Sequence, residues 1–469
     1  MRTRQLTGLI LASALITLDG TATTIALPAI GRDLSTSVSR LQWIGNAPLI
    51  VLAALLLPGG TMADRFGRVR VMRAGLVTFM LGALGSMFAP ADFVLIGARF
   101  VQGAGAALIL PATLAVLRGA YDDASERARI FGVWAAWTGV ATAVGPLLAG
   151  LLVDTVSWRA VFVMSVAGAA GALALVERSG TATAATQKHP LPLVATTALI
   201  VLFGATAYLL MGLAGADVKR AELTVPGALV LGAAIPLARD RQRSALFPRE
   251  LLQAHNCLPA NAATFALYFG LFGLSFLLAL YTQQVLEYSA LRAAVILLPI
   301  SVMLLLAEPF GRLAARVGTR ILLIVGAASA AAGIFWIAQA PHPLAFWSRM
   351  IVGTTLYGFG ISLSVSAVTH AAVAAAPKSC AGAASGLNHA VVRAAGLVAI
   401  ALLGSLAAPG VSDSITTEGF TYAMLICSGV VGVVGVAGSL FIRDEEPGGL
   451  STDAQAGPNP EFGGGDRNS

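Results

Sequence analysis

Charged residues are scarce in this chain. Asp, Glu, Lys and Arg make up only 11% of its 469 residues, against about 25% in an ordinary soluble domain, so a water-exposed surface cannot be assembled and a soluble globular protein is excluded. Cysteine is nearly absent. Cys257, Cys380 and Cys427 stand far apart, with no CxxC pair and no Cys/His cluster, which indicates neither a disulfide framework nor a structural zinc. No G-x-x-x-x-G-K-[ST] loop occurs, and without that phosphate cradle ATP is not the energy source. Nor does any nucleophile, general base or metal-ligand set fall at one depth of the chain, so neither catalysis nor a cofactor is expected. The net charge of +7 could suggest nucleic acid. The basic residues are scattered singly through short loops, however, and membrane topology accounts for them without a nucleic-acid partner.

What the chain has instead is apolar length: 57% of its residues are hydrophobic and the mean hydropathy is +0.81. A spanning helix needs about 20 such residues. Runs of that length lie near 6–28, 42–63, 70–90, 93–117, 128–153 and 158–177, and again near 259–284, 291–311, 319–340, 344–371, 382–407 and 420–442. Between these sets 192–213 is a clear span, whereas 223–238 is short and holds Pro226, Gly227 and Pro236. The first run is too long for a signal-peptide core and lacks a convincing cleavage site before Pro28, so it reads as retained. Loop charge decides whether 223–238 crosses. With fourteen spans and both termini cytoplasmic, the inner segments collect 20 basic residues, against six outside: Arg32, Arg40, Arg159, Lys219, Arg220 and Arg292. If 223–238 did not cross, every later loop would change sides and the positive-inside bias of the second half would reverse.

An internal repeat divides the spans. Gly60-Thr-Met-Ala-Asp64-Arg65-Phe-Gly67-Arg68 after span 2 aligns with Gly311-Arg-Leu-Ala-Ala315-Arg316-Val-Gly318-Thr319 after span 10, and Arg99 with Gly103 aligns with Arg349 and Gly353. The two matches share one offset of about 250 residues, which means two six-helix halves around an inserted pair. From residue 444 the tail is rich in Gly, Pro, Asn and Asp without apolar period and reads as disordered.

A few polar residues lie inside these spans. Asp19 stands in the middle of the first, where a carboxylate is costly and usually functional. Desolvation disfavours its ionised form, so it can take up and release a proton as its surroundings alternate between wet and dry; the plainer reading is a structural bond to Thr17 or backbone. At 1.5 Å per residue Asp19 lies about 13 Å and Arg99 about 9 Å from the outer face. They share a level, so Arg99 can stabilise the charged carboxylate when adjacent and release it when the halves move apart. Snorkelling of Arg99 to the interface is the alternative. In span 5, Ala141, Gly145 and Ala149 recur every four residues and leave one face smooth enough for close helix approach, and Pro146 bends the helix. In the second half Glu308, Arg349, His370, Asn388, His389 and Arg393 are the polar groups in or near spans. Glu308 lies near the inner end, where a pair with Arg312 is expected.

These motifs resemble the major facilitator superfamily. The run Gly60 to Arg70 is similar to its loop between spans 2 and 3, in which the resemblance makes Gly60, Asp64, Arg65, Gly67 and Arg68 a latch on the cytoplasmic side, with Asp64 facing the start of span 13 near Ala383. Ala315 stands where a symmetrical second latch would need its Asp. Arg99-Phe-Val-Gln102-Gly103-Ala-Gly105-Ala-Ala107 resembles the superfamily's span 4 motif. The run around Gly139, Gly145, Pro146 and Gly150 resembles the antiporter signature of exporters, with Ala141 and Ala149 in place of two glycines. The narrower resemblance is to the fourteen-span drug:proton antiporters: Leu18-Asp19-Gly-Thr21 to Ala26-Leu27-Pro28, Gln42-Trp43, Leu246-Phe247, Gln283-Gln284, Leu297-Leu298-Pro299 and Ser385-Gly386-Leu387-Asn388 with Arg393 all fit. Pro48, where Tyr is usual, and Ala394, where Gln often follows Arg, depart from the pattern.

The expectation is therefore an all-α integral membrane protein of the major facilitator fold with 14 transmembrane helices. It comprises an N-terminal bundle over 1–178, an inserted pair over 179–250, a C-terminal bundle over 251–443 and a cytoplasmic tail over 444–469. By resemblance it is a monomeric carrier of the bacterial cytoplasmic membrane that exports a hydrophobic drug or antibiotic in exchange for protons; uptake or export of another metabolite is the alternative. Asp19 and Arg99 would couple the proton, and Trp43, Asn46, Gln102, Trp137, Tyr268, Asn388 and Arg393 are the candidates for a substrate pocket.

Overall fold

The structure, a computed structural model, describes residues 3–121, 123–176, 193–214, 224–240, 249–339, 346–374, 381–408 and 414–443. The expected tail over 444–469 lies outside the described residues. In hydrocarbon each backbone N–H and C=O must be satisfied within the protein, which for runs of this kind leaves the helix. Among the described residues every regular element is a helix. The first group is α1 (Thr3–Asp33), α2 (Val38–Phe66), α3 (Arg68–Met87), α4 (Asp92–Gly119), α5 (Ala124–Thr155) and α6 (Arg159–Leu175). α7 (Leu193–Ala214), α8 (Thr224–Asp240) and the short α9 (Arg249–Gln253) follow. The second group is α10 (Cys257–Gln284), α11 (Ala290–Leu304), α12 (Ala307–Val317), α13 (Thr319–Ala338), α14 (Phe346–Ala374), α15 (Ala381–Ala407) and α16 (Thr417–Leu440). Among the described residues ten helices are long and apolar enough to cross a membrane, and four shorter apolar ones, within α6, α7, α8 and α11, complete a set consistent with fourteen spans.

Side chains at the turns start several of these helices. Ser37, Asp123, Ser289 and Thr416 each accept a hydrogen bond from a backbone N–H three residues on, which satisfies a donor that a helix start leaves free. The expected tenth span is not continuous. α11 stops at Leu304 and α12 begins at Ala307, because Pro309 has no N–H to offer the preceding turn. α14 braces both sides of the break, where Ser362 Oγ donates to Met303 O at 2.6 Å and Ser366 Oγ to Ala307 O at 3.0 Å. The side chains of Glu308 and Arg312, expected to pair, lie outside the described residues.

The repeat is visible in the packing. In the first group α1 packs on α5 and α6, α3 on α4 and α6, and α2 on α4; in the second, α10 packs on α15 and α16, α13 on α14 and α16, and α11 on α14. Gly67 and Gly318 open the matching helices α3 and α13 with φ of 96° and 98°, a region open to glycine because it lacks a Cβ. The groups meet along two related seams, α5 on α11 and α2 on α15, and α7 lies across the second, touching both α2 and α15.

The molecule is closed at one end. At the end of the α1–α2 turn, Gln42 Nε2 donates to Ile400 O at 2.8 Å and Ala401 O at 2.9 Å, and Gln283 Nε2 to Ile25 O at 3.0 Å. Asp154, last turn of α5, accepts from the N–H groups of Ala290 and Leu291, both at 2.9 Å, and so caps α11 of the other group. A single apolar core runs through both groups there, from Ala22 and Ile44 to Leu280 and Leu403. At the opposite end the cores are separate: Leu9, Met72 and Ile109 belong to one, Ala260, Leu323 and Val368 to another.

A Cβ on Gly150 would stand 2.6 Å from the Leu291 Cα, so Gly150→Leu should part α5 from α11 at the closed end. In a chain whose native cysteines are replaced by serine, the buried Ala290→Cys thiol should then react several-fold faster with a membrane-impermeant maleimide. An unchanged rate in folded protein contradicts this packing.

Candidate functional site

Three helices bring four polar residues to one point inside the first group. Asp19 on α1, Arg99 and Gln102 on α4 and Ser165 on α6 are all buried, Asp19 at 4% exposure and Arg99 at 2%. The common depth inferred for Asp19 and Arg99 is a contact in the structure: Arg99 Nη1 donates to Asp19 Oδ2 at 2.6 Å. The same nitrogen donates to Gln102 Oε1 at 2.8 Å, and Gln102 Nε2 donates to Asp19 Oδ1 at 2.7 Å, closing a three-membered ring. Ser165 Oγ adds a 2.6 Å bond to Asp19 Oδ1. The guanidinium also lies over the Phe162 ring, 5.8 Å from its centroid, while its Nε finds no acceptor.

The carboxylate thus accepts three hydrogen bonds, the pattern of its ionised form, which can only accept. Charge-assisted bonds of this length are among the strongest in proteins, and they are what allows an ion pair to persist away from water. Thr17, the structural alternative, is not among these three donors. Ser165 was missed in the sequence. A lone Ser in an apolar span carries no signal of its own, since its hydroxyl usually bonds back to its own helix; here it does so only weakly, to Val161 O at 3.4 Å.

Small residues on two sides of α5 touch this site and the other group. A Cβ on Gly145 would meet Thr21 Oγ1 at 2.4 Å and Leu18 O at 3.2 Å, the residues flanking Asp19. Gly150, on the same helix, presses on α11, and Ala141 and Ala149 are buried. One helix therefore contacts both the Asp19 segment and the seam between the groups.

The remaining candidates are dispersed. Asp64 is exposed and pairs with Arg68 at 3.4 Å, while Arg68 Nη1 also donates to Ala115 O at 2.9 Å; the side chain of Ala383, its expected neighbour, lies outside the described residues. Gly60 packs on Pro111, and Arg65 lies over Phe66. Trp43 belongs to a cluster with Phe203 and Met211 of α7 and Leu397 of α15, on the inserted pair rather than at Asp19. Trp137 is 55% exposed and stands on the side of α5 opposite Gly139, Thr142 and Gly150, which meet α11. Asn46 is fully buried with neither amide atom paired. Asn388 donates to Thr264 Oγ1 at 2.9 Å and Asn261 Oδ1 at 3.3 Å of α10. Tyr268 and Arg393 are half-buried and close enough to interact electrostatically. Arg349, the repeat partner of Arg99, donates to the Gln339 carbonyl; Phe269 and Gly270 stand where a second Asp19 would be.

A sequence profile described as Major Facilitator Superfamily matches residues 9–400. The chain belongs to the major facilitator superfamily. Its relatives include a puromycin resistance protein of Streptomyces alboniger, 31% identical across 90% of this chain and 87% of that protein. The tetracenomycin C resistance and export protein of Streptomyces glaucescens is 30% identical across 85% of this chain and 74% of its own. The multidrug resistance protein Stp of Mycobacterium tuberculosis is 28% identical over 86% of this chain and 75% of its own. Among solved structures, a POT peptide transporter in complex with sulfate aligns with a TM-score of 0.71 at 16% identity over 93% of each chain, which speaks to the fold alone. The chain is a multi-pass membrane transporter of small molecules.

Removing one member of a buried pair costs about 3–5 kcal/mol, because the other charge is left uncompensated. Asp19→Ala should therefore lower unfolding stability in detergent by that order, and Asp19→Ala with Arg99→Met should recover most of it. A double variant no better than the single one contradicts a mutually neutralising pair.

Proposed function

We infer that the protein is a proton-coupled exporter of hydrophobic antibiotics or drugs, working by alternating access in the bacterial cytoplasmic membrane as a monomer. The observation that carries this reading is the Asp19–Arg99–Gln102–Ser165 network together with the small-residue face of α5 that packs on it. The named relatives, which carry resistance to puromycin and export of tetracenomycin C, support the substrate class. Fourteen spans in two six-helix bundles, 1–178 and 251–443, joined by a pair within 179–250, fit the packing.

The arginine-rich turns put the Asp64 end in the cytoplasm, so the conformer is open inward and closed outward. In this state Asp64 is exposed and Asp19 is ionised against Arg99, as expected once its proton has left to the cytoplasm. Opening outward requires the seams around Asp154 and Gln42 to part. Because α5 holds α11 through Gly150 and α1 through Gly145, parting the α11 seam shifts the wall beside Asp19. A carboxylate drawn from its three donors in an apolar surround is then neutral more cheaply than charged, and it takes a proton from outside. Substrate leaves in that state, and the protonated carrier returns inward. One proton crossing 100 mV releases about 2.3 kcal/mol, which sustains roughly a 50-fold substrate gradient.

Asp19→Asn keeps the hydrogen-bonded shape but cannot carry a proton. In inside-out vesicles the wild type should discharge an imposed pH gradient on addition of tetracenomycin C, and Asp19→Asn, inserted at equal level, should not. Retained proton release by Asp19→Asn removes Asp19 from the engine; accumulation of the drug in expressing cells reverses the direction.

A further inference from the structure

The two groups of helices treat their buried cations differently. Arg99 is neutralised by Asp19 at 2.6 Å. Arg393, half-buried on α15, has no hydrogen bond or ion pair among the described residues. Its electrostatic neighbours are Tyr268 of α10 and His389, one turn away on its own helix; none is acidic.

Helix register says where this cation points. At about 100° per residue, Asn388, Gly396 and Leu403 form the α15 stripe that meets α10, at Thr264, Phe272 and Gly273. Ile400 and Gly404 form the stripe that meets α2, at Gly45 and Gln42. Arg393, seven residues before Ile400, continues this second stripe toward the open end, and His389, four residues earlier still, is exposed. The stripe that seals the two groups near the closed end therefore presents a guanidinium and an imidazole where the groups separate. Tyr268 borders it from α10.

We propose that Arg393, with Tyr268 beside it, is the receptor for an anionic group on the substrate, and that the carrier selects apolar molecules bearing a carboxylate, enolate or phenolate over apolar cations. This rests on the exporter reading and names the substrate class for it. A guanidinium offers five donors in a planar fork that matches a carboxylate, and the tyrosine hydroxyl can donate to a second oxygen. In a poorly solvated cleft an unpaired positive charge attracts an anion and repels a cation. Asp19 does not offset this effect, since its charge is already spent on Arg99.

Two dyes with one ring system separate the charge term from the apolar one: fluorescein, an anion at pH 7.5, and rhodamine 123, a cation. Binding is read by fluorescence anisotropy on the full chain in detergent. Wild type should bind fluorescein at least about tenfold more tightly, given what like-charge contacts cost at an interface. Arg393→Gln should erase that preference by weakening fluorescein alone, and Arg393→Lys, which keeps the charge, should restore most of it. Equal binding of the two dyes by wild type, no fluorescein binding, or equal loss of both in a folded Arg393→Gln protein overturns the proposal. Uptake into inside-out vesicles distinguishes it from the reading beneath. Proton-driven uptake of rhodamine 123 in preference to fluorescein sinks the anion receptor and leaves the exporter; Arg393-dependent fluorescein binding without proton-driven uptake keeps the receptor and sinks the exporter.

Discussion

A carboxylate inside hydrocarbon must either lose its charge or be surrounded by donors, and the first six helices of this protein are arranged around the second solution. Asp19 is met by Arg99, Gln102 and Ser165 from two other helices, with every bond between 2.6 and 2.7 Å. No local feature of α1 could supply these donors, so the network depends on α1, α4 and α6 holding their positions to a fraction of an ångström. Small residues on α5 permit that. Gly145 lets α5 lie on the backbone next to Asp19, and Gly150 lets the same helix lie on α11.

The pseudo-symmetry of the fold and the asymmetry of its chemistry have separate origins. Packing pairs repeat between the halves because glycine positions and helix lengths repeat, as at Gly67 and Gly318. The polar groups do not repeat: Arg99 has Asp19, while Arg349 turns to a backbone carbonyl and Arg393 stands without an acidic partner. A symmetric scaffold can rock about its central axis, while an asymmetric set of charges leaves the two halves chemically distinct. The closed end, with Gln42 and Asp154 reaching across the seams, and the open end, with Asp64 exposed, describe one of the two states that such a carrier alternates between.

Much of this was legible in the chain. Apolar runs of helix length, the arginine bias, the offset between the two halves and the level shared by Asp19 and Arg99 all follow from hydropathy and the fixed rise of a helix. The small face of span 5 was legible as well, because removing side chains at every fourth residue has one use in a bundle. Other features were hidden. The break between α11 and α12 is bridged by Ser362 and Ser366 of α14, which donate to carbonyls on its two sides, and Trp43 and Trp137 looked like pocket aromatics although one packs on α7 and the other faces away from the α11 seam. Rotation about a helix axis is poorly marked when nearly every face is apolar.

The sequence by itself determined that the chain lives in a membrane and which buried ionisable groups need a partner, since these follow from local transfer energies and the helical rise. Only the tertiary structure decided which donors reach Asp19, which end is closed and that Arg393 has no partner among the described residues. Those are contacts between residues up to about 360 positions apart, such as Gln42 with Ile400 and Ser405, and uniformly apolar helix surfaces leave their pairing to shape alone.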